Sequence, residues 1–227
     1  MAKTKIEFVC RECGASHHQW AGQCLDCKEW NTLEEIVISQ ATASKPDSLK
    51  DLPASKVQNL SEIKSQNKDR LSTGLSELDR TLGGGLVDGS VVLIGGDPGI
   101  GKSTLILQAL VTLNKANTTL YVSGEESAEQ VSERAVRLGI KEDVLFIGET
   151  HLEKILKLSK DVQPKVIVID SIQTMVTDLS TSAPGSVTQV RDCAAQLTQY
   201  AKQTNTILLM IGHVTKGGAL AGPRILE

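Results

Sequence analysis

Hydrophobic positions fall into three regimes along this chain. In residues 1–36 they show no long apolar run, and cysteines set the rhythm. Residues 39–69 are polar, with Pro46, Pro53 and scattered Ser, Lys, Asp and Asn, and they sustain a period of neither 2 nor 3.6. Such a stretch reads as a linker, with a short helix expected around Leu60-Ser61-Glu62-Ile63. Beyond it Leu71, Leu75, Leu78 and Leu82 recur at helical spacing until Gly83-Gly84-Gly85 stops the pattern. Five short, nearly continuous apolar runs follow, at residues 91–94, 119–122, 144–147, 166–169 and 207–211. Runs of that kind suit strands buried on both faces. The segments between them open on helix-start signatures, Ser127 with Gln130, Thr150 with Glu153 and Ser186 with Gln189. Behind the last of these, Val190, Ala194, Leu197 and Ala201 form a helical stripe. Strand and helix alternation predicts an α/β fold with a mostly parallel sheet, whose ligands bind beyond the carboxyl ends of the strands. The predicted organisation is a small module over 1–36, a linker over 37–68 and a core over 69–227.

Composition adds exclusions. With 40% hydrophobic and 22% charged residues, no disordered or fibrous class is needed. A formal net charge of −3 leaves no overall basic field, so any nucleic-acid contact must come from local side chains. No apolar h-region follows Met1-Ala2-Lys3-Thr4-Lys5, and no later run has the length to span a bilayer. The expectation is a cytoplasmic protein with no membrane partner. Four of the five cysteines form two C-x-x-C pairs, which in a reducing compartment favours a metal over disulfides.

Those pairs are Cys10-Arg11-Glu12-Cys13 and Cys24-Leu25-Asp26-Cys27. Four thiolates in tetrahedral array suit Zn²⁺ and leave no open coordination position, so the expected role is structural; a redox-active C-x-x-C is the alternative. His17 and His18 read as bystanders, and Trp20 and Trp30 as packing on the module's small core.

The densest chemical signal is Gly96-Asp97-Pro98-Gly99-Ile100-Gly101-Lys102-Ser103-Thr104, which fits G-x-x-x-x-G-K-[ST] between a predicted strand and a predicted helix. Its backbone N–H groups and the helix N-terminus would face phosphate oxygens. Lys102 would reach the β- and γ-phosphates of ATP, and Ser103 would ligate Mg²⁺. Three strand ends carry further candidates. Asp170 closes the run at 166–169 and suits the Mg²⁺ water shell, although a strand ending in Asp-Ser is also an ordinary turn. Glu125 and Glu126 follow the run at 119–122, where one acid would activate the attacking water; the alternative is helix-entry charge. His213 ends the last strand, ahead of a glycine-rich stretch holding Lys216 and Arg224. Residues 177–185 read as a loop, and Cys193 as a buried helix position.

Together Leu71-Ser72-Thr73-Gly74, Leu82-Gly83-Gly84-Gly85-Leu86, residues 96–104, Ser123-Gly124-Glu125-Glu126-Ser127 and Ile169-Asp170 resemble the RecA-type ATPases. The four-cysteine module, Trp30-Asn31-Thr32-Leu33, Gly212-His213-Val214-Thr215-Lys216 and Ala221-Gly222-Pro223-Arg224 narrow the likeness to a bacterial DNA-repair branch of that family. The resemblance implies an ATP-driven ring, a homo-hexamer, acting on single-stranded DNA to promote branch migration of recombination intermediates, with recombinase or helicase partners. It implies that Glu125 activates water, with Glu126 as the fallback, and that Asp170 supports Mg²⁺. It also implies that His213 stands where many relatives carry a Gln sensor, and that the segment bearing Lys216 and Arg224 begins a DNA-binding loop. The family's usual acidic residue near Gly217 is missing here. Family members continue past Glu227 with further core strands, a Lys-Asn-Arg-Phe-Gly motif and a Lon-like domain, so the chain is expected to be truncated, with impaired ring closure. Two other readings share part of the pattern. One is a zinc-containing nucleotide-binding interaction module without turnover; the other is a KaiC-like ATPase, against which the cysteine module counts.

Overall fold

The computed structural model describes residues 5–10, 15–38, 59, 70–141, 143–180 and 182–213. The N-terminal module is built on a three-stranded antiparallel sheet of β1 (Lys5–Cys10), β2 (Ser16–His17) and β3 (Leu33–Ile38), in the order β2-β1-β3. The register pairs Phe8 with His17 and Cys10 with Leu33. Its interior is small, with Cys10, Cys24 and Leu33 buried and Phe8, Ala15, Ala21 and Cys27 packed around them. So little apolar surface does not stabilise a fold by itself, and the cysteines sit at its centre.

The core comprises α1 (Ser76–Thr81), β4 (Val91–Gly96), α2 (Lys102–Asn114), β5 (Thr119–Ser123), α3 (Ala128–Arg137), β6 (Leu145–Gly148), α4 (Leu152–Val162), β7 (Val166–Asp170), α5 (Val187–Thr204) and β8 (Ile207–His213). The five core strands form one parallel sheet in the order β4-β8-β7-β5-β6. This is the α/β fold expected from the sequence. Both sheet faces are covered, and the strands divide their side chains by alternation. Leu120, Val122, Ile167, Ile169, Leu208 and Met210 meet α4 and α5, while Tyr121, Val166, Val168, Ile207, Leu209 and Ile211 meet α2 and α3. Truncating one fully buried leucine or isoleucine of these layers to alanine costs about 2–5 kcal/mol.

Chain order explains where the site must form. From β4 the chain crosses to β5 and out to β6, then returns to lay β7 and finally β8 in the gap beside β4. The reversal brings four carboxyl ends together, with Gly96 paired to His213, Asp170 to Ile211 and Ser123 to Asp170. A ligand crevice belongs at such a switch point.

Three local expectations are corrected. The leucine stripe at 71–82 is helical only over Ser76–Thr81. Leu71 and Leu86 instead exchange two backbone hydrogen bonds of 2.8 Å, and the Asp79 carboxylate accepts from Thr73 and Ser72. Thr150 and Glu153 form no capping box: His151 is the N-cap, Glu149 accepts from the backbone of Thr150 and His151, and Glu153 turns to Thr177 and Asp178. Ser186 does accept from the Gln189 backbone, but the Gln189 side chain bonds Thr177 and Ser182 instead of closing a box. Ser127 with Gln130 forms the full capping box, and Cys193 is buried. The expected helix near Leu60 lies outside the described residues. Among the described residues no helix is long and apolar enough to cross a membrane.

Candidate nucleotide site and metal centre

The loop between β4 and α2 turns on two glycines. Gly99 has φ 80° and Gly101, the N-cap of α2, has φ 99°, left-handed values that a side chain strains. The turn hands the chain to α2 with Lys102 in its first position and Ser103 and Thr104 behind it, and the N–H groups of a helix's first turn have no partner within the helix and suit an anion. Asp97, Pro98, Gly99 and Ile100 are exposed on the loop, whereas Lys102 is buried at 7%. The Lys102 ammonium folds back over the loop and donates to the carbonyls of Gly96 at 2.7 Å and Asp97 at 2.8 Å. It also lies 3.3 Å from His213 Nδ1.

His213 joins this lysine to an acid. Its Nε2 is 3.1 Å from Glu125 Oε1, which also accepts from the Ser171 hydroxyl. Lys102 has only protons to offer, so Nδ1 accepts and the ring proton resides on Nε2, donated to Glu125. The chain Lys102–His213–Glu125 therefore links the start of α2, the end of β8 and the segment after β5 in one polar run.

The two neighbouring acids point to different places. Glu126 forms an ion pair with Arg134 of α3 and takes no part in that run, while its backbone N–H donates to Ser123 Oγ at 3.0 Å. Gly124 enables the divergence. Its N–H donates to the Asp170 carbonyl at 2.9 Å, and a Cβ there would stand 2.1 Å from Thr174 Oγ1. Asp170 ends β7 at 5% exposure, and its Oδ2 accepts from the Tyr121 hydroxyl. Burial first, and then the charge of Asp170, pushes the Tyr121 phenol far up, so this hydroxyl is a donor at any working pH. The residues present fit Mg²⁺ held through Ser103 and Asp170: a hydroxyl at the start of α2 and a carboxylate at the end of β7, one strand over from β4's neighbour β8, are hard donors. The parts played by Ser171, Tyr121 and Arg134 have no sequence signal, since hydroxyls and a cation distant along the chain from their partners form no motif.

In the N-terminal module the thiols of Cys10, Cys24 and Cys27 lie within 4.8 Å of one another, with Cys10 and Cys27 Sγ 3.6 Å apart. Cys13 lies outside the described residues. Turns hold the set: Cys10 N–H donates to Ala15, and Lys28, at φ 61°, donates to the Cys24 carbonyl. Converging buried sulfurs fit a soft tetrahedral ion such as Zn²⁺. His17 is not a bystander, since its Nε2 is 3.4 Å from Cys24 Sγ and 3.5 Å from Asp26 Oδ2. Trp20 and Trp30 do not pack inward either; they are 60% and 67% exposed, because the cysteines and Leu33 already fill so small an interior. Lys216 and Arg224 lie outside the described residues.

Comparison with known proteins agrees with both parts. A family model described as an AAA domain matches residues 58–219, and one described as a rubredoxin metal binding domain matches residues 8–35. The whole chain is 53% identical to the DNA repair protein RadA of Pseudomonas aeruginosa, 49% to that of Escherichia coli and 46% to that of Bacillus subtilis. It covers 50%, 51% and 50% of those proteins, so the chain spans about half the length of the relatives it matches. The chain belongs to the AAA domain family, and its likeness over its whole length is to the DNA repair proteins RadA.

Proposed function

We propose that this chain is the nucleotide-hydrolysing part of a DNA-repair ATPase. The observation that carries this reading is the polar run from Lys102 through His213 to Glu125 at the mouth of a glycine loop. When ATP enters, Lys102 exchanges the Gly96 and Asp97 carbonyls for β- and γ-phosphate oxygens, a charge-assisted contact that replaces neutral acceptors. Residues 96–104 wrap the phosphates with backbone N–H groups. Mg²⁺ at Ser103 and Asp170 would neutralise charge on the β- and γ-oxygens. Glu125 takes the proton of the attacking water, and the hydrogen bonds from Ser171 and His213 fix its carboxylate for that task. Because Lys102 leaves His213 Nδ1 for the phosphate, His213 is the group that senses occupancy. The zinc module, with Cys13 as the fourth ligand, has a structural role and supplies no chemistry.

The action on single-stranded DNA, the promotion of branch migration, the hexameric ring and the recombinase or helicase partners extend this reading along the family resemblance of the sequence. Lys216 and Arg224 would contact the DNA backbone. Binding of a fluorescent ATP analogue tests the core of the proposal: the Lys102→Ala chain should lose it, and unchanged affinity would overturn the site. For DNA, each lost phosphate contact should lower the salt slope of single-strand binding by about 0.7, so Lys216→Ala and Arg224→Ala should each flatten it. Slopes equal to that of the unsubstituted chain would remove those two residues from the interface.

A further inference from the structure

We propose that Tyr121 is a positioning residue for the metal-binding carboxylate: its hydroxyl holds one oxygen of Asp170 so that the other faces the Mg²⁺ of the nucleotide. The inference rests on the reading of Asp170 given above. Its basis is sheet register. Tyr121 on β5 pairs with Val168 on β7, which makes Asp170, two residues on, its diagonal neighbour on the same face. A long side chain reaches that distance, and the Tyr121 hydroxyl donates to Asp170 Oδ2.

Three features make this a positioning device. Tyr121 is 1% exposed and its ring stacks on Phe146 of β6, with centroids 6.3 Å apart and planes at 17°, so the phenol has little freedom to move. The charges of Arg134 and Glu126, paired with each other, also bear on the same phenol, in opposite senses. Asp170 itself is 5% exposed, so few water molecules compete for its oxygens. A carboxylate with one oxygen bonded by a fixed donor has lost rotation about its terminal torsion, and its second oxygen keeps a fixed aim. Groups in that outer position typically carry ten- to a hundredfold in metal affinity or activity.

The experiment titrates Mg²⁺ against binding of a fluorescent non-hydrolysable ATP analogue by the 227-residue chain, with a parallel measurement in EDTA. Tyr121→Phe keeps the ring and removes only the hydroxyl. It should raise the half-saturating Mg²⁺ concentration roughly tenfold or more while leaving analogue affinity in EDTA unchanged. Phe146→Leu loosens the ring's stacking but keeps the hydroxyl bond, and should lower thermal stability while moving the Mg²⁺ midpoint much less than Tyr121→Phe does. Asp170→Asn serves as the reference for losing the carboxylate. If Asp170→Asn shifts the midpoint and Tyr121→Phe does not, the positioning role is wrong. Equal shifts from Tyr121→Phe and Phe146→Leu would also overturn it, reducing Tyr121 to packing. A midpoint unmoved by Asp170→Asn would overturn the reading of Asp170 itself.

Discussion

Glu125 and Glu126 are adjacent in sequence, yet their surroundings predict opposite consequences for the same change. The Glu126–Arg134 pair is mostly withdrawn from water, at 28% and 18% side-chain exposure, and Glu126 Oε2 and Arg134 Nη1 are buried with no other hydrogen-bond partner among the described residues. Glu126→Gln leaves the Arg134 guanidinium buried beside a neutral amide. An exposed pair is worth 0–1 kcal/mol and a fully buried pair broken on one side 3–5 kcal/mol, so this intermediate case should cost about 2 kcal/mol. For a domain of this size that lowers Tm by roughly 4–8 °C. The rate of hydrolysis per folded molecule should hold, because Glu126 faces away from the polar run. Glu125→Gln should do the reverse. Its side chain is 39% exposed, so little stability is lost, whereas hydrolysis should slow by about a hundredfold as expected for a missing general base. Thermal unfolding and single-turnover hydrolysis on both variants read the two effects separately. A Glu126→Gln chain that melts normally but does not turn over would refute the reasoning and move the base by one residue.

Two further outcomes follow from other parts of the chain. Replacing Cys10 or Cys24 with serine should remove the single zinc expected per chain and loosen the β1–β3 sheet, because the remaining thiolates cannot close a tetrahedral site; metal analysis with circular dichroism checks this, and metal-free native protein with reduced cysteines would contradict it. Glu149 is held down at about 2 by hydrogen bonds from the His151 backbone, the Lys154 side chain and the Thr150 backbone. Its folded pKa lies below the ordinary 4.5, so the unfolded chain binds the proton first and the contribution is present above pH 4.5 and lost as pH falls towards 2. Glu149→Gln should therefore destabilise by about 1 kcal/mol at pH 7, after allowance for solvent screening, and by nothing near pH 2 in urea titrations; an equal loss at both pH values would contradict the assignment.

How much of this was legible depended on whether the signal was local. The core strands were readable because burial removes polar residues, fully at 166–169, which is covered on both faces, and in good part at 91–94, which is half-buried at the sheet edge. Their ends were less so: β6 starts one residue later than its apolar run, and β8 runs on to His213, since pairing with β4 decides where a strand stops. The glycine loop was readable because left-handed backbone and a lysine at the helix start demand particular residues in a fixed order. The leucine stripe at 71–82 misled, because Leu71 pairs with Leu86 across the glycine turn, a tertiary bond that periodicity does not register. Contacts across the fold were the least visible. His213 meets Glu125 over 88 residues and Tyr121 meets Asp170 over 49, and neither histidine nor tyrosine announces a partner. In the small module the cysteine spacing was plain, but Trp20 and Trp30 looked like core residues only so long as a core large enough to take them was assumed.

The account turns on Glu125 acting at a nucleotide held by Lys102. Single-turnover hydrolysis of ATP labelled on the γ-phosphate, with the chain in excess, tests it most directly. The unsubstituted chain should release phosphate, Glu125→Gln should bind the nucleotide with similar affinity yet release phosphate about a hundredfold more slowly, and Lys102→Ala should show neither binding nor release. Phosphate release by Glu125→Gln at the rate of the unsubstituted chain would contradict the account.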